Sequence, residues 1–170
     1  MKVIALWGRE SVGKSTTLKR FLLRLLSRYN LSATNLEDNS FFTRDVLERE
    51  IANENENLLS KNCKVRDYIV KIEIDGVKYG ITTHGDNEWF LRNGFDALKD
   101  CDVVFCATRT KRATVEFVKK HSEKLIWVAK TYVSGDREIL KDELDIVNYT
   151  NEQQVEVLFR IFEELNQRRK

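Results

Sequence analysis

Val3-Ile4-Ala5-Leu6-Trp7-Gly8-Arg9-Glu10-Ser11-Val12-Gly13-Lys14-Ser15 decides how the rest of this chain is read. The five apolar residues predict a strand covered on both faces. Gly8 and Gly13 then let the backbone turn sharply, so that several N–H groups point inward as a nest for an anion. Helical spacing follows at once. Leu18, Phe21, Leu22, Leu25 and Leu26 line one side of the next segment, with Lys19, Arg20, Arg24 and Arg28 on the other. A helix beginning near Lys14 adds its positive end to the nest. Lys14 brings a full charge, and Ser15 a hydroxyl that suits a hard cation.

Outward from this stretch, continuous apolar runs at 103–107 and 125–129 repeat the pattern of a buried parallel strand. Between them and the first strand, Tyr68, Val70, Ile72 and Ile74 alternate with polar residues, as do Val77, Tyr79 and Ile81. Asp75-Gly76 joins these two runs, which predicts a tight β-hairpin because both turn positions need positive φ. Helices are expected at 87–99 and 113–121. A last helix is expected near Thr150, with Gln153 as its capping-box partner. The polar stretch 32–62 is expected to be a variable lid or acceptor segment, with a helix possible from Thr43. The order predicts one three-layer α/β domain over 1–170, with a mainly parallel sheet and one antiparallel hairpin strand.

Composition narrows the function classes. The 29 basic and 27 acidic residues leave a net charge of +2, which gives no whole-chain argument for nucleic acid or an anionic membrane. No apolar run reaches the roughly 20 residues of a membrane span. The N-terminal apolar run passes straight into the glycine turn and reads as a strand rather than a leader. Cys63, Cys101 and Cys106 form no metal-like pair and read as reduced thiols, which points to the cytoplasm.

Gly8-x4-Gly13-Lys14-Ser15 matches the Walker A pattern in full, and with it the chain resembles the P-loop NTPase superfamily. The firm resemblance runs from Val3 to Tyr29, and the hairpin after the first helix looks like small GTPases and related kinases. The resemblance implies a nucleoside triphosphate bound with Mg²⁺. Gly8, Arg9, Glu10, Ser11, Val12, Gly13, Lys14, Ser15 and Thr16 would contact the phosphates, with Lys14 on the β and γ phosphates and Ser15 on the metal.

The sequence also departs from the superfamily pattern. The expected second-strand carboxylate is missing from Thr82-Thr83-His84-Gly85-Asp86. Alignment on Gly85 puts Thr82 at the usual aspartate position and Asp86 at the water-orienting one. Asp86 is thus a candidate base, water-orienter or metal-side carboxylate, or else the cap of the next helix, and the Gly85 N–H a phosphate contact. His84 reads as a surface loop residue. Arg109, Lys111 and Arg112 follow a strand end that lines the ligand crevice, with Arg109 the foremost candidate for transition-state charge. Asn-Lys-x-Asp, the guanine-reading motif of GTPases, is replaced by Ala129-Lys130-Thr131-Tyr132, which makes ATP the expected nucleotide and GTP the lesser one. Three activities fit these residues: a small ATPase or kinase, with Arg44 and Arg49 facing an acceptor phosphate; a regulatory switch for a protein partner; or a non-hydrolysing binder.

Overall fold

The computed structural model describes residues 1–9, 13–59, 66–110, 112–131 and 141–167. The apolar runs become β1 (Lys2–Trp7), β6 (Val103–Thr108) and β7 (Lys124–Ala129). The alternating pair becomes β4 (Ile69–Ile74) and β5 (Val77–Thr82). Asp75 at φ 54° and Gly76 at φ 74° form the turn between them, both with the positive φ that the dipeptide predicts. The helices are α1 (Lys14–Tyr29), α2 (Arg44–Leu59), α3 (Glu88–Ala97), α4 (Arg112–Lys120) and α5 (Lys141–Gln167). Two short strands, β2 (Ala33–Asn35) and β3 (Phe41–Phe42), lie in the polar segment expected to vary.

The strands form one sheet in the order β3-β2-β4-β5-β6-β1-β7. β5, β6, β1 and β7 run parallel. β4 is the antiparallel hairpin strand, and β2 and β3 extend the sheet beyond it by antiparallel pairing. Tyr79 and Ile81 of β5 join Leu18, Phe21, Leu22, Leu25, Leu158 and Phe162 of α1 and α5 on one face. Leu91 and Phe95 of α3 and Phe117 and Val118 of α4 pack with Val3, Ala5 and Val104 on the other. The result is the three-layer α/β arrangement that the alternation of strand and helix predicts. Cys101 and Cys106 are unbonded thiols of the second layer, and burial raises their pKa to about 11 and about 12. Cys63 lies outside the described residues. Among the described residues no helix is long and apolar enough to cross a membrane.

Two local expectations are corrected. Thr150 does not cap α5 but lies within it, where its hydroxyl donates to the Ile146 carbonyl at 2.9 Å. This back-bonding lets a threonine sit inside a helix. Asn87 caps α3, its side chain accepting from the Phe90 amide at 3.0 Å, so the cap is not Asp86. The basic side of α1 is itself packed against other helices. Lys19 is only 1% exposed, covered by α2, while Arg20 and Arg24 pair with Glu152 and Glu156 of α5.

Candidate functional site

The carboxyl ends of β1, β5, β6 and β7 lie along one edge of the sheet, because these strands are parallel and in register. Gly8 leaves β1 with its amide on the Thr108 carbonyl of β6 at 3.2 Å. Gly13 has φ 79°, which only glycine adopts at little cost, and it opens α1. The Thr17 amide makes the first helical bond, to the Gly13 carbonyl at 2.9 Å. The amides of Lys14, Ser15 and Thr16 therefore form the helix's electropositive end. The Lys14 ammonium curls over the loop and donates to the carbonyls of Gly8 at 3.1 Å and Arg9 at 2.5 Å. Glu10, Ser11 and Val12 lie outside the described residues. The Thr16 hydroxyl points away from the loop, to Glu54 of α2 at 3.5 Å.

The Ser15 hydroxyl donates to Asp67 Oδ1 at 3.3 Å, and the Thr83 hydroxyl donates to the same oxygen at 2.8 Å. The hairpin explains this meeting. Its two-residue turn pairs Ile69 with Thr82, and the Thr83 amide bonds the Tyr68 carbonyl at 3.1 Å, so the residues before β4 face those after β5. Thr82, aligned with the usual metal-side aspartate, faces the opposite layer. A Cβ added at Gly94 of α3 would lie 2.7 Å from its hydroxyl, which has no hydrogen-bond partner. Thr83 is the β5-end residue that faces Ser15's side of the sheet. An all-oxygen set around Ser15 would fit Mg²⁺, which takes hard oxygen ligands. Sequence reasoning passed over Asp67, although counting outward from Asp75-Gly76 puts it opposite His84.

His84 is held rather than free on the surface. Its Nε2 is 2.7 Å from Glu37 Oε1, its Nδ1 lies 3.9 Å from Asp67 Oδ2, and its ring stacks on Phe90. Gly85 presses on the end of β6, where an added Cβ would fall 2.5 Å from the backbone carbon and oxygen of Ala107. Asp86 is largely exposed; its Oδ1 accepts from Arg109 Nε at 3.1 Å and pairs with Nη2 at 3.1 Å. The structure thus brings Asp86 and Arg109 together at the ends of β5 and β6. Lys111 lies outside the described residues.

Lys130 follows β7, and its ammonium donates to Asn151 Oδ1 of α5 at 2.6 Å. Asn151 Oδ1 also accepts from the Thr17 hydroxyl at 3.2 Å, so one α5 side chain ties the loop after β7 to α1. Burial first, then the charges of Arg20 and Lys14, bring the Lys130 pKa down to about 8. Gln154 adds a second tie, donating to the Ala129 carbonyl at 2.7 Å. Arg44 and Arg49, the candidate acceptor-phosphate groups, instead bond along their own helix to Glu48 at 2.7 Å and the Asp45 carbonyl at 3.2 Å.

No curated protein and no solved structure matches the chain. Residues 3–158 match the family described as 50S ribosome-binding GTPase, a P-loop nucleotide-binding family. The match spans both the Lys14 cradle and the Lys130 loop. It points to GTP rather than the ATP that the missing Asn-Lys-x-Asp suggested. A P-loop between β1 and α1, a hairpin strand beside a parallel sheet and a match over nearly the whole length agree, and the chain belongs to the 50S ribosome-binding GTPase family.

Proposed function

We propose that this protein is a Mg²⁺-dependent GTP-binding switch that hydrolyses GTP slowly and presents its nucleotide state to a protein partner. The observation that carries the reading is the Lys14 cradle. A lysine ammonium lies over the loop carbonyls of Gly8 and Arg9, beside a left-handed Gly13 and the N-terminal end of α1. On binding, Lys14 exchanges these carbonyls for β and γ phosphate oxygens, a stronger charge-assisted contact. Mg²⁺ held at Ser15 supplies neutralisation of charge on the phosphate oxygens. The Gly85 amide faces the γ-phosphate, Asp86 orients the attacking water, and Arg109, restrained by Asp86, lends positive charge to the transferring group. Lys130 packs beside the base.

The switch is favoured over an acceptor-directed kinase by α2. Its Glu54 is buried against Lys19 and Thr16 of α1, and its arginines bond along their own helix. The segment therefore clasps the P-loop helix instead of opening an acceptor site. The test measures binding and γ-phosphate release with GTP and ATP, with and without Mg²⁺, in wild type and Lys14→Ala. Slow, Lys14-dependent release from GTP without an acceptor supports the switch. Preference for ATP, or release only with an added acceptor, overturns it, and tight binding with no release leaves a non-hydrolysing binder. Trp89, 63% exposed beside Phe90 at the start of α3, reports the switch directly. Identical emission with GDP and a non-hydrolysable GTP analogue counts against it.

A further inference from the structure

We propose that Asp67, from the segment leading into β4, supplies the carboxylate of the Mg²⁺ site that the end of β5 lacks. The proposal rests on the Mg²⁺–GTP reading above and assigns the metal-side acid within it. Three observations converge on this residue. First, Asp67 Oδ1 accepts from the hydroxyls of Ser15 at 3.3 Å and Thr83 at 2.8 Å, so it lies within hydrogen-bond reach of the P-loop residue that meets the metal. Second, the β5 position that would provide an acid is occupied by Thr82, whose hydroxyl is turned to α3 and has no hydrogen-bond partner. Third, the His84 ring, fixed by Glu37 at 2.7 Å and by Phe90, stands beside Asp67, with Nδ1 3.9 Å from Oδ2. Such outer contacts orient a carboxylate for a cation.

The neighbouring acids are committed elsewhere. Asp86 is held by Arg109, Glu54 by Lys19 and Glu37 by His84. Asp67 has its side chain 33% exposed, which leaves room for the water shell that Mg²⁺ keeps. The chemistry suits this cation: one carboxylate, one serine hydroxyl and phosphate oxygens make a hard, all-oxygen set.

The test uses the full chain loaded with a fluorescent GDP or GTP analogue. Nucleotide affinity and dissociation rate are followed from excess EDTA to saturating Mg²⁺ in wild type, Asp67→Asn and Asp86→Asn. Asp67→Asn should keep the wild-type affinity in EDTA within about twofold. It should raise the Mg²⁺ concentration for half-maximal retention by roughly 10–100-fold, the usual cost of losing a group that orients a metal site. An unchanged Mg²⁺ requirement in Asp67→Asn, or the same loss in Asp86→Asn alone, overturns the assignment while leaving the GTP reading intact. Failure of wild type to bind nucleotide in any condition overturns both. Wild type gives a readout that needs no variant. With Fe²⁺ in place of Mg²⁺, ascorbate and peroxide should cleave the backbone near Ser15 and near Asp67, and cleavage that spares 66–68 overturns the proposal.

Discussion

Gly85 shows how a single missing carbon shapes the site. Its Cα sits so close to the end of β6 that a methyl group would lie 2.5 Å from the Ala107 carbonyl. Backbone cannot yield as a flexible side chain would, so Gly85→Ala should destabilise the fold by about 1–3 kcal/mol. It should also displace Asp86 from Arg109. Urea unfolding checks the first effect and Trp89 emission the second, and an unchanged midpoint would mean that the loop relaxes freely. Lys130 carries a different residue-scale cost. Its pKa falls from the ordinary 10.5 to about 8 in the fold, so between those values the unfolded chain binds more protons at this residue. Its contribution to stability therefore rises with pH across that window and is lost as pH falls through the folded value. Lys130→Met removes the effect. The stability of wild type relative to the variant should climb with pH by on the order of 3 kcal/mol. Urea midpoints taken at several alkaline pH values measure it, and a flat difference sinks the argument.

At the scale of elements, α2 is fastened to α1 by a buried ion pair. Lys19 is 1% exposed and meets Glu54 in a salt bridge, with the Tyr68 ring 5.9 Å from the ammonium. Glu54→Gln leaves an ammonium with reduced compensation under α2 and should cost about 3–5 kcal/mol, whereas Lys19→Met with Glu54→Leu should be near neutral or stabilising. Amide hydrogen exchange across 44–54 would show α2 opening in the single variant and closing again in the double. This element also shows where reading the sequence stopped. Local patterns carried β1, the P-loop, α1 and the hairpin, because strand burial, turn chemistry and helical spacing are all set within a few residues. The burial of Lys19 has no local signal, because the helix covering it comes from a polar stretch; among the described residues of that helix Leu47, Ile51 and Glu54 are buried. Thr82 was matched to the metal-side acid by counting from Gly85, while strand alternation puts Thr83 on that face. Asp67 was legible only through hairpin register, which joins residues that no linear motif spans. The start of α5 was misplaced because Thr150 satisfies its hydroxyl within the helix, so its cap-like identity carried no boundary.

For the whole molecule, what matters is that the site belongs to no single layer. Its parts come from loops after β1, β5, β6 and β7, from the start of β4, and from Asn151 of α5, 134 residues from its partner Thr17. A ligand that binds such a seat stabilises everything that builds it, by RT ln(1 + [L]/Kd), or about 2.7 kcal/mol at a hundredfold excess over Kd. In a chain of 170 residues that corresponds to a rise in Tm of roughly 5–10 °C. GTP with Mg²⁺ should give this rise in wild type, and Lys14→Ala should lose most of it while melting near the wild-type temperature without nucleotide. Asn151→Ala is the sharper test, because the residue serves as a tie and not as a phosphate contact. Its Oδ1 holds both Lys130 and Thr17, and it would lie 3.2 Å from a Cβ at Gly13, so it fixes the loop against α5. Without it Gly13 and the start of α1 must be positioned at the expense of binding energy. The GTP-induced rise should then shrink even though every phosphate-binding residue remains. A full rise in Asn151→Ala would show that α1 and its loop hold the nucleotide by themselves, and that α5 supports the sheet without setting the site.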